Sequence, residues 1–329
     1  MSMLDIILDI GFFAAAIRLA VPLLLGTLSE LVAERSGVLN LGIEGMMLTG
    51  ALAGFATAHV TGSLWLGVLA ALILGALVGL LMALLVVILR LDQTVAGLGV
   101  TMAATGLVFF SYRLGFGESA VPPAITPFST IALPLLSDIP FVGPVLFNQY
   151  ALTYVVYLLV PALAFFLFRT PAGLALRTVG ENPKAAAGVG IDPIKVRILA
   201  LMAAGALAGL AGAYLNLAAF GSFTFGIISG RGWICLALVV LGRWKPFACA
   251  GAALLFGAVD AFQLRLQTSG SVDLPYQLFL ALPYVATLIV VIVNTRFAAA
   301  PAALMEPYDP EKRRLTSAHP APSTTCAKR

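Results

Sequence analysis

The sequence predicts an all-α membrane protein, a polytopic bundle of roughly 8 to 10 transmembrane helices with an inverted internal repeat. Three observations predict the class. Hydrophobic residues occupy 60% of the 329 positions and charged residues only 10%, where a soluble domain carries about 45 to 50% and about 25%; mean hydropathy is +1.02. The apolar residues gather into runs close to the ~20 residues that cross a bilayer as helix. Strict two-residue alternation over ~10 residues, the mark of a membrane barrel, is absent.

The runs cover 11–33, 41–60, 64–89, 94–112, 146–168, 196–219, 231–242, 246–266 and 276–294. Asp5 and Asp9 precede the first. Without a basic flank it reads as a retained span rather than a cleaved leader. The sixth carries Gly205, Ala208, Gly209 and Gly212, small residues that let helices approach closely where lipid supplies no hydrophobic drive between them. The seventh is short, hence the range in helix number.

Orientation follows from basic residues in short loops. The stretch from Arg169 to Arg197 holds five of the 19 basic residues and two of the 15 acidic ones. Arg243 with Lys245, and Arg296 with Lys312, Arg313 and Arg314, fall on the same side if each later run crosses once. That side is expected to be cytoplasmic. The Pro-rich loop 114–145, with Glu118 and Asp138, the loop around Asp273 and the acidic N-terminus fall opposite. Residues 1–297 then form one transmembrane domain with a cytoplasmic loop at 170–197. Residues 298–329, rich in Pro, Ser, Thr and charge, read as a disordered cytoplasmic tail.

Leu39-Asn-Leu-Gly-Ile43 and Phe223-Thr-Phe-Gly-Ile227 share one pattern of apolar, small polar, apolar, Gly, Ile. The expected topology runs one inward to outward and the other in reverse. Inverted repeats place a transport pathway at their interface, along broken helices whose freed backbone faces a cavity. Asn40, Gly42, Glu44, Thr224, Gly226 and Ser229 are therefore pathway candidates, joined by Gln93 at the start of the fourth run. Glu44 either lines that pathway or faces cytoplasmic water. Arg18 snorkels or pairs with a carboxylate. Asp260, Gln263 and Gln267 share a helix face and line an outer vestibule or form a structural polar seam.

No G-x-x-x-x-G-K-[ST] loop occurs, nor any Gly-Lys dipeptide, so nothing marks the chain itself as an ATP binder. Cys235, Cys249 and Cys326 read as packing residues, and His59 and His319 lack metal-ligand spacing. No catalytic group, metal or cofactor is expected. A single embedded carboxylate, Glu44 or Asp260, could carry a proton, which keeps a stand-alone proton-coupled secondary transporter as the rival reading. Between Arg177 and Lys195, Asn182 can cap a helix beginning at Pro183 that Gly188 and Gly190 close after little more than a turn. This short charged helix either seats in a groove on a peripheral partner or is a solvated loop.

Glu34 to Met47, Gly180 to Ala187 with Gly190-Ile191, the Gly-rich run from Ala204 to Ala213, and Leu241-Gly-Arg-Trp-Lys-Pro246 together resemble the permease subunits of bacterial ATP-binding-cassette importers. The likeness is greatest to the nucleoside and simple-sugar branch, with branched-chain amino-acid permeases more distant. It covers about residues 11 to 294. The resemblance implies a multi-pass subunit of the bacterial cytoplasmic membrane, translocating a nucleoside or related ribose-containing solute by alternating access. Its implied partners are cytoplasmic ATPase subunits, a second permease chain or a second copy, and an extracytoplasmic solute-binding lipoprotein. Membrane lipid surrounds it, and no nucleic-acid partner is implied. Arg177, Glu181, Asn182, Lys184, Ala187, Gly190 and Ile191 would be the coupling element on the ATPase. Ala187 and Gly188 depart from the bulkier or polar residues common there.

Overall fold

The computed structural model describes residues 10–117, 123–134, 136–269, 285 and 300–309. The acidic N-terminus, Glu118, the loop around Asp273, the run 276–294 apart from Val285, Arg296, and the tail beyond Asp309 with His319 and Cys326 lie outside the described residues.

The eight runs within the described residues are helical over most of their length. In chain order the helices are α1 (Ile10–Arg35), α2 (Ile43–Thr61), α3 (Leu64–Ile88), α4 (Gln93–Phe116), α5 (Val142–Leu146), α6 (Ala151–Arg169), α7 (Pro171–Glu181), α8 (Pro183–Gly188), α9 (Pro193–Phe220), α10 (Arg231–Leu241) and α11 (Pro246–Ser269). Six of them, α1, α3, α4, α6, α9 and α11, are long and apolar enough to cross a membrane, and α10 is a shorter apolar helix.

Their ends are written in the sequence. Asp92 accepts from the backbone N–H groups of Thr94 and Val95 at 2.9 and 3.0 Å to start α4, and Asp192 accepts from Ile194 N–H at 3.0 Å ahead of Pro193 to start α9. Each side chain satisfies donors that a first helical turn leaves orphaned. Gly221, at φ 69°, ends α9 in the left-handed region that an L side chain rarely adopts.

Helix α9 is the centre of the bundle, packed on α3, α2 and α1. Its Gly205 and Gly209 face Gly79 and Gly75 of α3 so closely that an added Cβ would lie 2.9 Å from Gly79 Cα and 3.0 Å from Gly75 Cα respectively. The expected small-residue contact is thus present, and its glycines allow backbone-to-backbone van der Waals packing. Helix α4 packs chiefly on α2, leaving Met102, Leu107, Phe110 and Leu114 exposed.

One feature departs from an all-α bundle. Strands β1 (Thr130–Ala132) and β2 (Asn148–Tyr150) pair antiparallel, with Thr130 opposite Tyr150. The prolines around them prevent continued helix, and the ribbon satisfies backbone groups instead. Ile125 and Phe128 N–H donate to Gly221 and Leu217 carbonyls at 2.7 and 2.8 Å, so the described part of the Pro-rich loop covers the end of α9.

At the opposite end, residues 300–309 depart from the unpacked tail expected from Ala298 onward. Ala303 N–H donates to Gly180 O at 2.9 Å, Arg197 Nη1 donates to Glu306 O at 2.9 Å, and Arg90 pairs with Asp309 at 3.1 Å. Ala303 and Tyr308 are buried. The physical reason is that Arg197, itself buried, requires carbonyl acceptors, and this segment supplies one.

Candidate functional site

Two interruptions of helix carry the pathway candidates. The first follows α1. Asn40 N–H donates to Glu30 Oε1 at 2.9 Å, so the chain turns back beside α1 before α2 begins. Leu39 N–H donates to Gln93 Oε1 at 2.8 Å, tying the turn to the start of α4. Asn40 is fully buried, with Nδ2 on Met46 Sδ at 3.3 Å, and Gln93 and Gly42 are buried too. All three are buried at the turn.

The second interruption follows α9. Phe223 packs on Phe55 of α2 with ring centroids 6.2 Å apart, whereas Gly230 reaches Glu44, at the other end of α2. Residues 223–230 therefore run beside α2 over a rise of about 16 Å, half of a ~30 Å hydrocarbon core. They are not helical. Gly226 and Gly230 have φ of 83° and 80°, and Ser229 47°. Thr224, Phe225, Gly226 and Ser229 are exposed.

Glu44 joins the two interruptions. Its Oε1 accepts Gly230 N–H and its Oε2 accepts Gly232 N–H, each at 2.8 Å. A carboxylate in the first turn of α2 thus caps α10, where the helix macrodipole concentrates positive charge. Neither reading of Glu44 from sequence anticipated this partner. Nothing in the order Gly-Arg-Gly at 230–232 announces a distant cap. Arg231 donates back to the carbonyls of Ile227 and Ile228 at 3.0 and 3.2 Å.

The coupling candidates lie at the other site. Thr170 accepts Gly173 N–H at 3.1 Å to cap α7. Asn182 accepts Ala185 N–H at 3.0 Å to cap α8, with Pro183 at its first position. Gly190, at φ 88°, turns the chain so that Ile191 N–H reaches Ala186 O at 3.1 Å. This short helix was legible in the sequence; α7 was not, although Thr170-Pro171 is its start signal. Lys184 and Glu181 are exposed, and Ala187 is half-buried. Arg177 lies over the Phe168 ring at 5.0 Å, and Glu181 Oε2 accepts Ala302 N–H at 3.2 Å.

The two sites are connected through Gly180, Arg35, Glu34 and Trp244, residues of the quoted motifs to which the sequence assigned no role. Gly180, near the end of α7, abuts the carbonyl of Arg35. Arg35 donates through Nε and Nη2 to Trp244 O at 3.2 and 2.7 Å. Trp244 Nε1 donates to Glu34 Oε2 at 2.5 Å, and Trp244, in the turn after α10, donates its backbone N–H to Val239 O of that helix at 3.2 Å. A continuous chain of contacts therefore runs from α8 and α7 through Arg35 and Trp244 along α10 to Glu44.

No group of three or more His, Cys, Asp or Glu suited to a metal occurs among the described residues. An apolar cavity of about 390 Å³ lies among Leu52, Leu74, Val78 and Val108.

The family described as branched-chain amino acid transport system / permease component matches residues 12–293. A putative glucose ABC transporter permease protein of Haloferax volcanii is 41% identical over 262 residues, 78% of each chain. The guanosine ABC transporter permease protein of Bacillus subtilis is 36% identical over 91% of this chain and 96% of its own. The nucleoside ABC transporter permease protein of Lactococcus lactis is 34% identical over 86% and 91%. No solved structure matches.

Proposed function

The chain belongs to the branched-chain amino acid transport system permease family, and from that premise we propose that it moves a nucleoside or related ribose-containing solute into the cell by ATP-driven alternating access. It is a multi-pass membrane permease component of an ABC transporter and not an enzyme. ATP hydrolysis is assigned to separate cytoplasmic subunits docking at Lys184. A second permease chain, or a second copy, completes the pathway, and an extracytoplasmic lipoprotein delivers solute. The nucleoside assignment draws on relatives named for guanosine and nucleoside; a simple sugar or a branched-chain amino acid is the alternative solute.

The observation that carries the mechanism is the contact chain from Gly180 through Arg35 and Trp244 to the Glu44 cap. Movement of α7 and α8 on an ATPase would be transmitted to α10, and so to the non-helical segment 223–230. Helices α2 and α10 act as equivalent members of an inverted repeat, a reading favoured by their meeting at Glu44. The six long helices with α2 and the interrupted span ending in α10 make eight crossings among the described residues, within the eight to ten proposed, in the bacterial cytoplasmic membrane with the basic end and C-terminus inside.

As a proton carrier, Glu44 is disfavoured by the same cap. Both Glu44 oxygens already accept backbone N–H groups, which commits this carboxylate to holding the start of α10. The discriminating experiment replaces Glu181 to Ala187 with a Gly-Ser stretch in the reconstituted complex. Solute-stimulated ATP hydrolysis is expected to be lost while the chain still inserts; unchanged stimulation would refute the coupling role.

A further inference from the structure

The non-helical segment 223–230 presents an arrangement that the coupling mechanism leaves unused. Phe225 is 53% exposed and Phe109 of α4 is 36% exposed, and their rings meet edge to face at 4.7 Å. Beneath them lies an aromatic floor. Tyr112 stands 5.2 Å from Phe225 and 5.1 Å from Phe223, and Phe223 rests on Phe55 at 6.2 Å. Tyr112, Phe223 and Phe55 are buried, so the two outer rings are held by packing and not free to collapse.

Beside this ledge the backbone is open. The N–H groups of Thr224, Phe225 and Gly226 form no hydrogen bond with another described group, and all three residues are exposed. Non-helical backbone at bilayer depth is not tolerated against lipid; it must be covered by protein or line an aqueous path. Exposed rings next to unsatisfied donors suit a ligand with a flat aromatic face and polar edges, since base-on-aromatic stacking tolerates any base.

We propose that Phe225 and Phe109, with the backbone N–H groups of 224–226, form a stacking ledge that holds the base of a nucleoside in transit. The inference rests on the importer reading and sharpens it: the ribose-containing solute is recognised in the membrane through its base. The delivering protein sets which nucleoside arrives, and the ledge requires only that the solute carry a flat ring. A purely apolar, lipid-facing role is opposed by the free donors.

The test uses the full complex, with its ATPase and solute-binding partners, in proteoliposomes with guanosine as probe. Phe225→Leu keeps apolar bulk and removes the ring; uptake is expected to fall about tenfold, with Phe109→Ala in the same direction. Phe225→Trp restores the ring and should transport near the wild-type rate, and Phe110→Ala, on an exposed face of α4 outside the ledge, should be unaffected. In a Phe225→Cys, Cys326→Ser chain, guanosine should protect the new thiol from a water-soluble maleimide. Wild-type rates for Phe225→Leu, or a thiol that is never labelled because a second permease chain covers it, would overturn the ledge and leave the importer reading standing. A wild-type complex that takes up no nucleoside would overturn both.

Discussion

Glu44 and Gly232 lie 188 residues apart and meet at 2.8 Å, carboxylate oxygen to backbone N–H, where two helices begin. Glu44→Gln keeps the shape but loses the charge and one acceptor, setting an amide donor against a backbone donor. The expected cost is about 1 to 3 kcal/mol, seen as a lower thermal midpoint in detergent and a several-fold fall in solute uptake. Glu44→Ala should be worse on both measures. Equal stability of all three chains would mean that the cap is dispensable.

Gly232→Ala tests the same junction from the other side. Its Cβ would come 2.9 Å from both Cα and N of Glu44, backbone atoms that cannot step aside. Overpacking of this kind costs about 1 to 3 kcal/mol. Gly99→Ala, where an added Cβ meets nothing within 4 Å, should leave the thermal midpoint unchanged or slightly raised. The pair separates close approach from helix propensity in a single melting experiment.

Trp244→Phe removes one N–H and keeps most of the ring packing. Glu34 Oε2, now accepting at 2.5 Å, would be left buried without its donor, at a cost of about 1 to 3 kcal/mol. Because Trp244 also receives Arg35 on its carbonyl, the loosened turn should weaken transmission. Solute molecules moved per ATP hydrolysed are expected to fall in proteoliposomes; an unchanged ratio would remove Trp244 from the transmission path.

The segment 300–309 gives a graded prediction. Arg90 and Asp309 are partly exposed, with side chains 38% and 27% accessible, so Arg90→Ala should shift stability by no more than about 1 kcal/mol. Truncation after residue 299 removes the Glu306 carbonyl from the buried Arg197 and the Ala303 N–H from Gly180. That chain should melt at a clearly lower temperature than Arg90→Ala. Equal midpoints would show that the docked segment contributes only its exposed ion pair.

Much of the fold was legible because its determinants are local. Apolar runs gave the helices, Asn182 the start of α8, and the glycines of α9 its close packing. What stayed hidden depends on distant partners. Glu44 looks like any membrane-end carboxylate until Gly230 and Gly232 are brought beside it, and nothing local shows that the Asn40 N–H meets Glu30. Residues 300–309 read as tail because composition does not reveal that Arg197 needs an acceptor. The pattern shared by Leu39–Ile43 and Phe223–Ile227 did mark the two interruptions of helix. It could not distinguish the buried turn from the exposed one.

The central claim is ATP-driven import coupled through α7 and α8, and guanosine uptake by proteoliposomes containing the complete complex tests it most directly. Uptake is predicted to require ATP and the ATPase subunits, and to be indifferent to an imposed proton gradient. Uptake by the permease alone, driven by a proton gradient without ATP, would contradict the account.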